Sequence, residues 1–295
     1  MKSMYVLAVV VALGVTTSAA ATLAVETGRI AFGASGRGGN VDVYAIDPSG
    51  SEIRRLTDHA AFDACPAYSP DGRRIAFCSD RSGSYQVWTM AADGSGQRQV
   101  TKSAYPALFP AFSPDGRRIA FEASDGGPAA EDIFVVGASG GKIRRLTGAP
   151  GADTGAAFSP DGSRIAFLTH RKGTPQIWVM RASDGRQQRR LTRGAQPEGE
   201  PEWSPNGRRI AFAAAGDIWV VNTDGSARLN LTRSPTAETA VAWSPDGTRL
   251  AYLHRGANRR IFVMNADGSG KRALGGTGNQ LNPSWGTEPS IPAQP

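Results

Sequence analysis

Five near-identical phrases recur along this chain: YSPDGRRIAF, FSPDGRRIAF, FSPDGSRIAF, WSPNGRRIAF and WSPDGTRLAY. A sixth, TGRIAF, stands near the start without its front half. Aligned on the IAF motif, the copies begin at Ile30, Ile75, Ile119, Ile165, Ile210 and Leu250, at intervals of 40 to 46 residues. A unit of that size cannot bury its apolar faces alone, so it must stack on copies of itself.

Each period divides into four pieces. A short strand such as CPAYS or PEWS leads into PDG, and RRIAF follows as a second strand. The Asp-Gly pair supplies the positive φ that a hairpin needs. A polar, Gly-rich loop leads to a third strand such as YQVWTM or QIWVM. A second turn of the type ADGSG leads to a fourth, RRLT or LNLT. Ile-, Val-, Phe- and Trp-rich segments between Gly/Asp/Asn turns are the signature of hairpins. The expected fold is therefore all-β, a six-bladed β-propeller of four-stranded antiparallel blades. The missing half of the first copy lies at the other end of the sequence. Trp285 in NPSWG occupies the place of Tyr68, Phe112, Phe158, Trp203 and Trp243. The C-terminal strand is expected to close the first blade and remove two exposed sheet edges.

Composition agrees. The 295 residues include 36 Gly and 19 Pro, and 40% are hydrophobic, so many turns surround a large core. Residues 1–24 run from one Lys through a short apolar stretch to small residues, the order of a secretory signal. An uncleaved anchor is the alternative. No Cys stands at the cleavage region and no second apolar run is long enough to span a bilayer, so no stable membrane insertion is expected after cleavage. The expected organisation is a signal peptide at 1–24, a propeller at 25–286 and a flexible tail at 287–295. The product is expected to be exported, periplasmic or extracellular, and monomeric. The net charge is +7. Its Arg pairs recur with the repeat, which reads as charge spread round the molecule rather than a nucleic-acid groove.

The phrases FSPDGRRIAF and QIWVMRASDG resemble the repeats of TolB-type propellers, a WD40-like family of exported bacterial proteins. The resemblance covers residues 27–286. The Gly-His and Trp-Asp pairs of true WD40 blades are absent. TolB-type proteins carry an α/β domain before the propeller, and related prolyl-oligopeptidase-type enzymes a hydrolase domain after it. Neither is expected here, so a TolB-like cell-envelope binding role is implied without the full Tol–Pal function.

Catalytic patterns are sparse. The three histidines, His59, His170 and His254, have no metal-ligand spacing, and His170 and His254 read as loop residues after a second strand. Gly137-Ala138-Ser139-Gly140-Gly141 fits Gly-x-Ser-x-Gly, but it joins two strands, whereas a nucleophile elbow joins a strand to a helix. Asn230-Leu231-Thr232 fits a glycosylation sequon at the end of a fourth strand. No phosphate loop, zinc pattern or calcium loop is present, and no cofactor or metal is expected.

One constellation stands out. Six residues before the Ser of each SPDG phrase come Asp63, Ala107, Asp153, Glu198 and Glu238, with Gln280 at the matching place in the closing strand. This is the start of the channel-lining strand, where TolB-type repeats often carry Asp. As a site, an acidic ring at the channel mouth would attract a cation or a basic or amide-rich peptide. As structure, each carboxylate would accept hydrogen bonds from a neighbouring blade. The sequence leaves both open. The favoured function is a non-catalytic scaffold that binds a protein or peptide, with a cationic partner favoured by the ring. A hydrolase or lyase acting through channel carboxylates is the alternative. The only cysteines, Cys65 and Cys78, flank the turn of the second blade, whose geometry sets them directly opposite unless a bulge intervenes. In an oxidising compartment they are expected to form a disulfide; two reduced, buried thiols are the alternative.

Overall fold

The phrase SPDG folds as a clasp. In the computed structural model, which describes residues 28–35, 39–124, 131–194, 198–276 and 278–287, Ser69 Oγ donates to Asp71 Oδ1 at 2.6 Å and accepts from Arg74 N at 2.9 Å. Gly72 N donates to Ser69 O at 2.9 Å. The same set recurs at Ser159–Asp161–Arg164 and Ser244–Asp246–Arg249, with Asn206 replacing Asp at Ser204–Arg209. A short Ser and an Asx side chain bonding their own backbone make this a self-contained turn. The loop holds four residues, Pro70 to Arg73.

The strands form six four-stranded antiparallel sheets. Blade 1 consists of Gln280–Gly286, Arg29–Ser35, Val41–Ile46 and Ile53–Arg55, from the inside outwards. Ile30 pairs with Trp285, so the split blade closes as the sequence indicates. The other inner strands are Asp63–Tyr68, Ala107–Phe112, Asp153–Phe158, Glu202–Trp203 and Glu238–Trp243. The signal segment at 1–24 and all of the tail but Thr287 lie outside the described residues.

The core lies between blades rather than within them. Apolar clusters fill the junctions, two of them between blades 1 and 2; that between blades 6 and 1 joins Ile30, Phe32 and Trp285 to Ala251, Leu253 and Val263. The second strands are sandwiched on both sides, so Ile, Ala and Phe of IAF are all fully buried and the run does not alternate. A second set of contacts rings the molecule. The glycine of each third-to-fourth-strand turn abuts the backbone at the end of the preceding blade: Gly94 on Leu56, Gly185 on Leu146, Gly225 on Leu191 and Gly268 on Leu231. A Cβ on Gly185 would lie 2.1 Å from Leu146 O, at a φ of +73°. Gly185→Ala is therefore expected to cost at least about 2 kcal/mol in urea denaturation. Gly173→Ala shares the positive φ but meets nothing within 4 Å, so it should cost clearly less. Equal losses would show that the inter-blade contact does not matter.

Candidate functional site

Asp63, Asp153, Glu198, Glu238 and Gln280, at or just before the starts of the inner strands, are buried, and three of the four carboxylates face an Arg. Asp63 takes Arg81 at 2.5 Å and Asp153 takes Arg171; both guanidinium groups are nearly buried. Arg81 lies over the rings of Phe77 and Trp88, each 5.4 Å away, and Arg171 over Phe167 and Trp178 at 5.7 Å. In blade 5 the same place, over Phe212 and Trp219, is filled by Arg228 from beside the outer strand. Arg228 pairs with Glu198 at 2.9 Å. In blade 6 the cation is replaced by His254, whose Nδ1 lies 3.6 Å from Glu238 Oε1 and whose ring packs on Phe262. His254 thus belongs to the second strand, Arg249–Arg255, and not to the loop expected for it; His170 does follow its strand. Two members also tie blades together. Glu198 Oε2 accepts from Ile177 N at 3.1 Å and from Thr192 Oγ1, and Gln280 Oε1 accepts from Ile261 N at 2.6 Å. The structure brings Asp63, Asp153, Glu198, Glu238 and Gln280 to one end of the channel, each turned into the protein.

Residues not singled out in the sequence line the channel itself. Glu200 and Glu202, with Cys65, Tyr68, Phe112 and Trp285 among others, border a central cavity of about 230 Å³. Glu200 packs against Gly155 of blade 4, where a Cβ would come within 2.5 Å of its Cγ. Gly155 N in turn donates to Glu122 Oε2 at 3.1 Å. Burial pushes these carboxyls up, Glu122 and Glu202 to about 8 and Glu200 to about 7, helped for Glu122 and Glu202 by the charge of Glu200. Folded values raised above the ordinary carboxylate value of 4.5 mean stability that is fully present below that pH and is lost progressively as pH rises to 7 to 8. The melting temperature should fall between pH 5 and pH 8. The triple variant Glu122→Gln, Glu200→Gln, Glu202→Gln should flatten that fall; an unchanged slope would remove these residues as its source.

Cys65 and Cys78 are both buried, with their sulfurs 2.6 Å apart. They are not directly opposite. Cys78 pairs with Ala64, because the inner strand bulges between Ala64 and Ala67 and holds Cys65 at a φ of +52°. Phe109, Ala240 and Asn282 take the same left-handed conformation at the matching place in their blades. The bulge turns Cys65 towards its partner although the register alone would not. Ser139 is an exposed turn residue, and Asn230 spends its side-chain amide on Asp217. Among the described residues, no three His, Cys, Asp or Glu side chains could share a metal ion, and no helix is long and apolar enough to cross a membrane.

The TolB beta propeller domain family matches residues 9–106 and 96–287. This chain belongs to that family. Among solved structures, TolB of Acinetobacter baumannii superposes with a TM-score of 0.78 at 24% identity, over 88% of this chain and 66% of that one. A TolB-type protein of Agrobacterium tumefaciens gives 0.71 at 21% identity, over 87% and 91%. Hydrazine synthase of Kuenenia stuttgartiensis gives 0.74 at 17% identity, over 88% and 46%. At these identities the likeness is one of fold. None of the curated proteins compared matches the chain. The TolB-type propeller is thus the scaffold on which the buried ring and the channel glutamates are mounted.

Proposed function

We propose that this TolB-like propeller is an exported, non-catalytic scaffold that binds a protein partner through the loops of one face and the channel mouth beneath them. The contrast between its two faces carries the reading. The SPDG clasps are nearly the same in the five blades that carry them. The opposite loops, at 33–40, 79–84, 122–132, 168–176, 213–217 and 253–260, differ in length and sequence from blade to blade. Recognition rides on variable loops held by a rigid frame. The ring of Asp63, Asp153, Glu198, Glu238 and Gln280 is assigned here to holding the strands under that face. With its charges neutralised inside the protein, it offers little ground for a cationic partner. Export is supported by the pattern of residues 1–24, and a periplasmic or extracellular monomer fits it. The alternative, a hydrolase or lyase, would draw on Glu200 and Glu202, but among the described residues the cavity lining holds no His, Lys or Arg to act with them.

Exchanging several loops of that face between blades should abolish cross-linking to the native partner while the melting transition survives. Loss on altering the SPDG turns instead would sink the reading. Export also bears on the cysteine pair, proposed to be a disulfide in the mature protein. Thiol titration of the denatured, unreduced protein is expected to find no free thiol, and two would rule the bond out. The short loop enclosed limits the gain to about 3 kcal/mol or less.

A further inference from the structure

The loop face is divided electrically. Over blades 1–3 it mixes Lys102 with Asp58, Asp80 and Glu131. Over blades 4–6 it exposes Lys172, Arg193, Arg233, Arg255 and Arg259, and among the described residues of that half no carboxylate is exposed. Asp153, Glu198 and Glu238 are buried, and Asp217 is spent on Asn230, Thr232 and Ser234 N. None of the five exposed cations takes part in an ion pair among the described residues. The spread of charge suggested by the recurring Arg pairs therefore does not hold on this face.

The loops that carry these cations are fixed. Arg255 N donates to Ala237 O and Glu238 N to Gly216 O, each at 2.9 Å, which joins the loops of blades 5 and 6. Arg259 N donates to Asn279 Oδ1 at 3.2 Å. Arg233 is held at a φ of +48° with its N–H on Asn230 Oδ1. A strained backbone that projects a long unpaired cation is kept by the surrounding structure rather than by local preference.

We infer that the loop face of blades 4–6 docks an acidic segment of a protein partner; this rests on the scaffold reading above. Five like charges without counter-ions attract a polyanion and speed its encounter. Nucleic acid would also answer to charge, but among the described residues the exposed large apolar side chains are Ile53, Tyr105 and Leu229. None of these lies on this half of the face, so bases would find no largely exposed aromatic side chain among its described residues to stack on.

The test uses the mature protein and a short poly-glutamate peptide, with poly-lysine as the opposite-charge control. Poly-glutamate should bind and poly-lysine should not. Raising ionic strength from 0.01 M to 0.15 M shortens the screening length from about 30 Å to about 8 Å and should weaken binding on the order of tenfold. Joint reversal by Lys172→Glu, Arg193→Glu, Arg233→Glu, Arg255→Glu and Arg259→Glu should remove it. A milder set, Arg193→Gln, Arg233→Gln and Arg255→Gln, should weaken it severalfold and guards against misfolding. Reversing Arg54 and Arg144 on the outer edges should change nothing. Binding that ignores salt or survives the five reversals overturns the inference. So does single-stranded DNA that binds more tightly than poly-glutamate and is lost in the same variant. If the native partner is still captured by a five-reversal variant, the scaffold reading stands and only this inference falls. If loop exchange leaves capture intact while poly-glutamate binding obeys the reversals, the scaffold reading falls.

Discussion

Deleting residues 279–295 is expected to abolish the cooperative melting transition. The deletion removes the inner strand of blade 1, including Trp285, which packs on Ile30 and Phe32 in the cluster between blades 6 and 1. It also removes Gln280, whose side chain holds Ile261 N and Gly275 O of blade 6. Truncating a large buried aromatic alone costs about 3–5 kcal/mol. Domains of this kind are stable by only about 5–15 kcal/mol, so losing the whole strand leaves little or nothing. Circular dichroism should show an early, broad loss of signal. A truncated protein that melts where the intact one does would refute closure by this strand. Trp285→Ala, a smaller change, should lower stability by about 3–5 kcal/mol without opening the ring.

The second large effect is expected at Asp153. Asp153→Asn leaves Arg171 nearly buried between Phe167, Trp178 and the strand, without its counter-ion. Breaking a buried pair from one side costs about 3–5 kcal/mol, because the remaining charge stays in a poorly solvated place. At the lower end of that range, the melting temperature should drop by roughly 6–12 °C. The double variant Asp153→Asn, Arg171→Met should recover part of the loss, since it removes the stranded charge and keeps the stack on the rings. A double variant as unstable as the single one would mean that Asp153 acts through something other than Arg171. Asp63→Asn should repeat the result through Arg81.

The ring of blades could be read from the sequence because every copy of SPDG and IAF meets the same environment. Five copies of one turn and six buried Ile-Ala-Phe-type segments leave one consistent arrangement, and Trp285 could be placed by counting. The carboxylates at Asp63, Asp153, Glu198 and Glu238 were visible for the same reason. Their partners were not. Arg81 and Arg171 share a position in the repeat, but Arg228 reaches the equivalent spot from another strand and His254 from a third place. One spatial role filled from different chain positions leaves no column to read. The inner-strand bulge was hidden because Cys65, Phe109, Gly155, Ala240 and Asn282 share a positive φ and nothing in residue type. Glu200 and Glu202 were missed because they occur once. Set in columns with Gly155 and Ala240, or with Ala157 and Ala242, each is the odd residue, and that contrast was the available signal.

The split blade has a consequence in time. The strand Arg29–Ser35 is synthesised before its inner neighbour Gln280–Gly286, and the strands of the five other blades come between them. At ordinary rates of chain growth the two are separated by on the order of tens of seconds. Throughout that interval Ile30 and Phe32 have no Trp285 to cover them, and the hydrogen-bonding edge that will receive the last strand stands open. Each later blade can rest on the one before it as it emerges; the first cannot be finished until all the others are made. The growing chain therefore carries this apolar face uncovered from its first blade to its last, and the contact that completes the ring is also the one that conceals it.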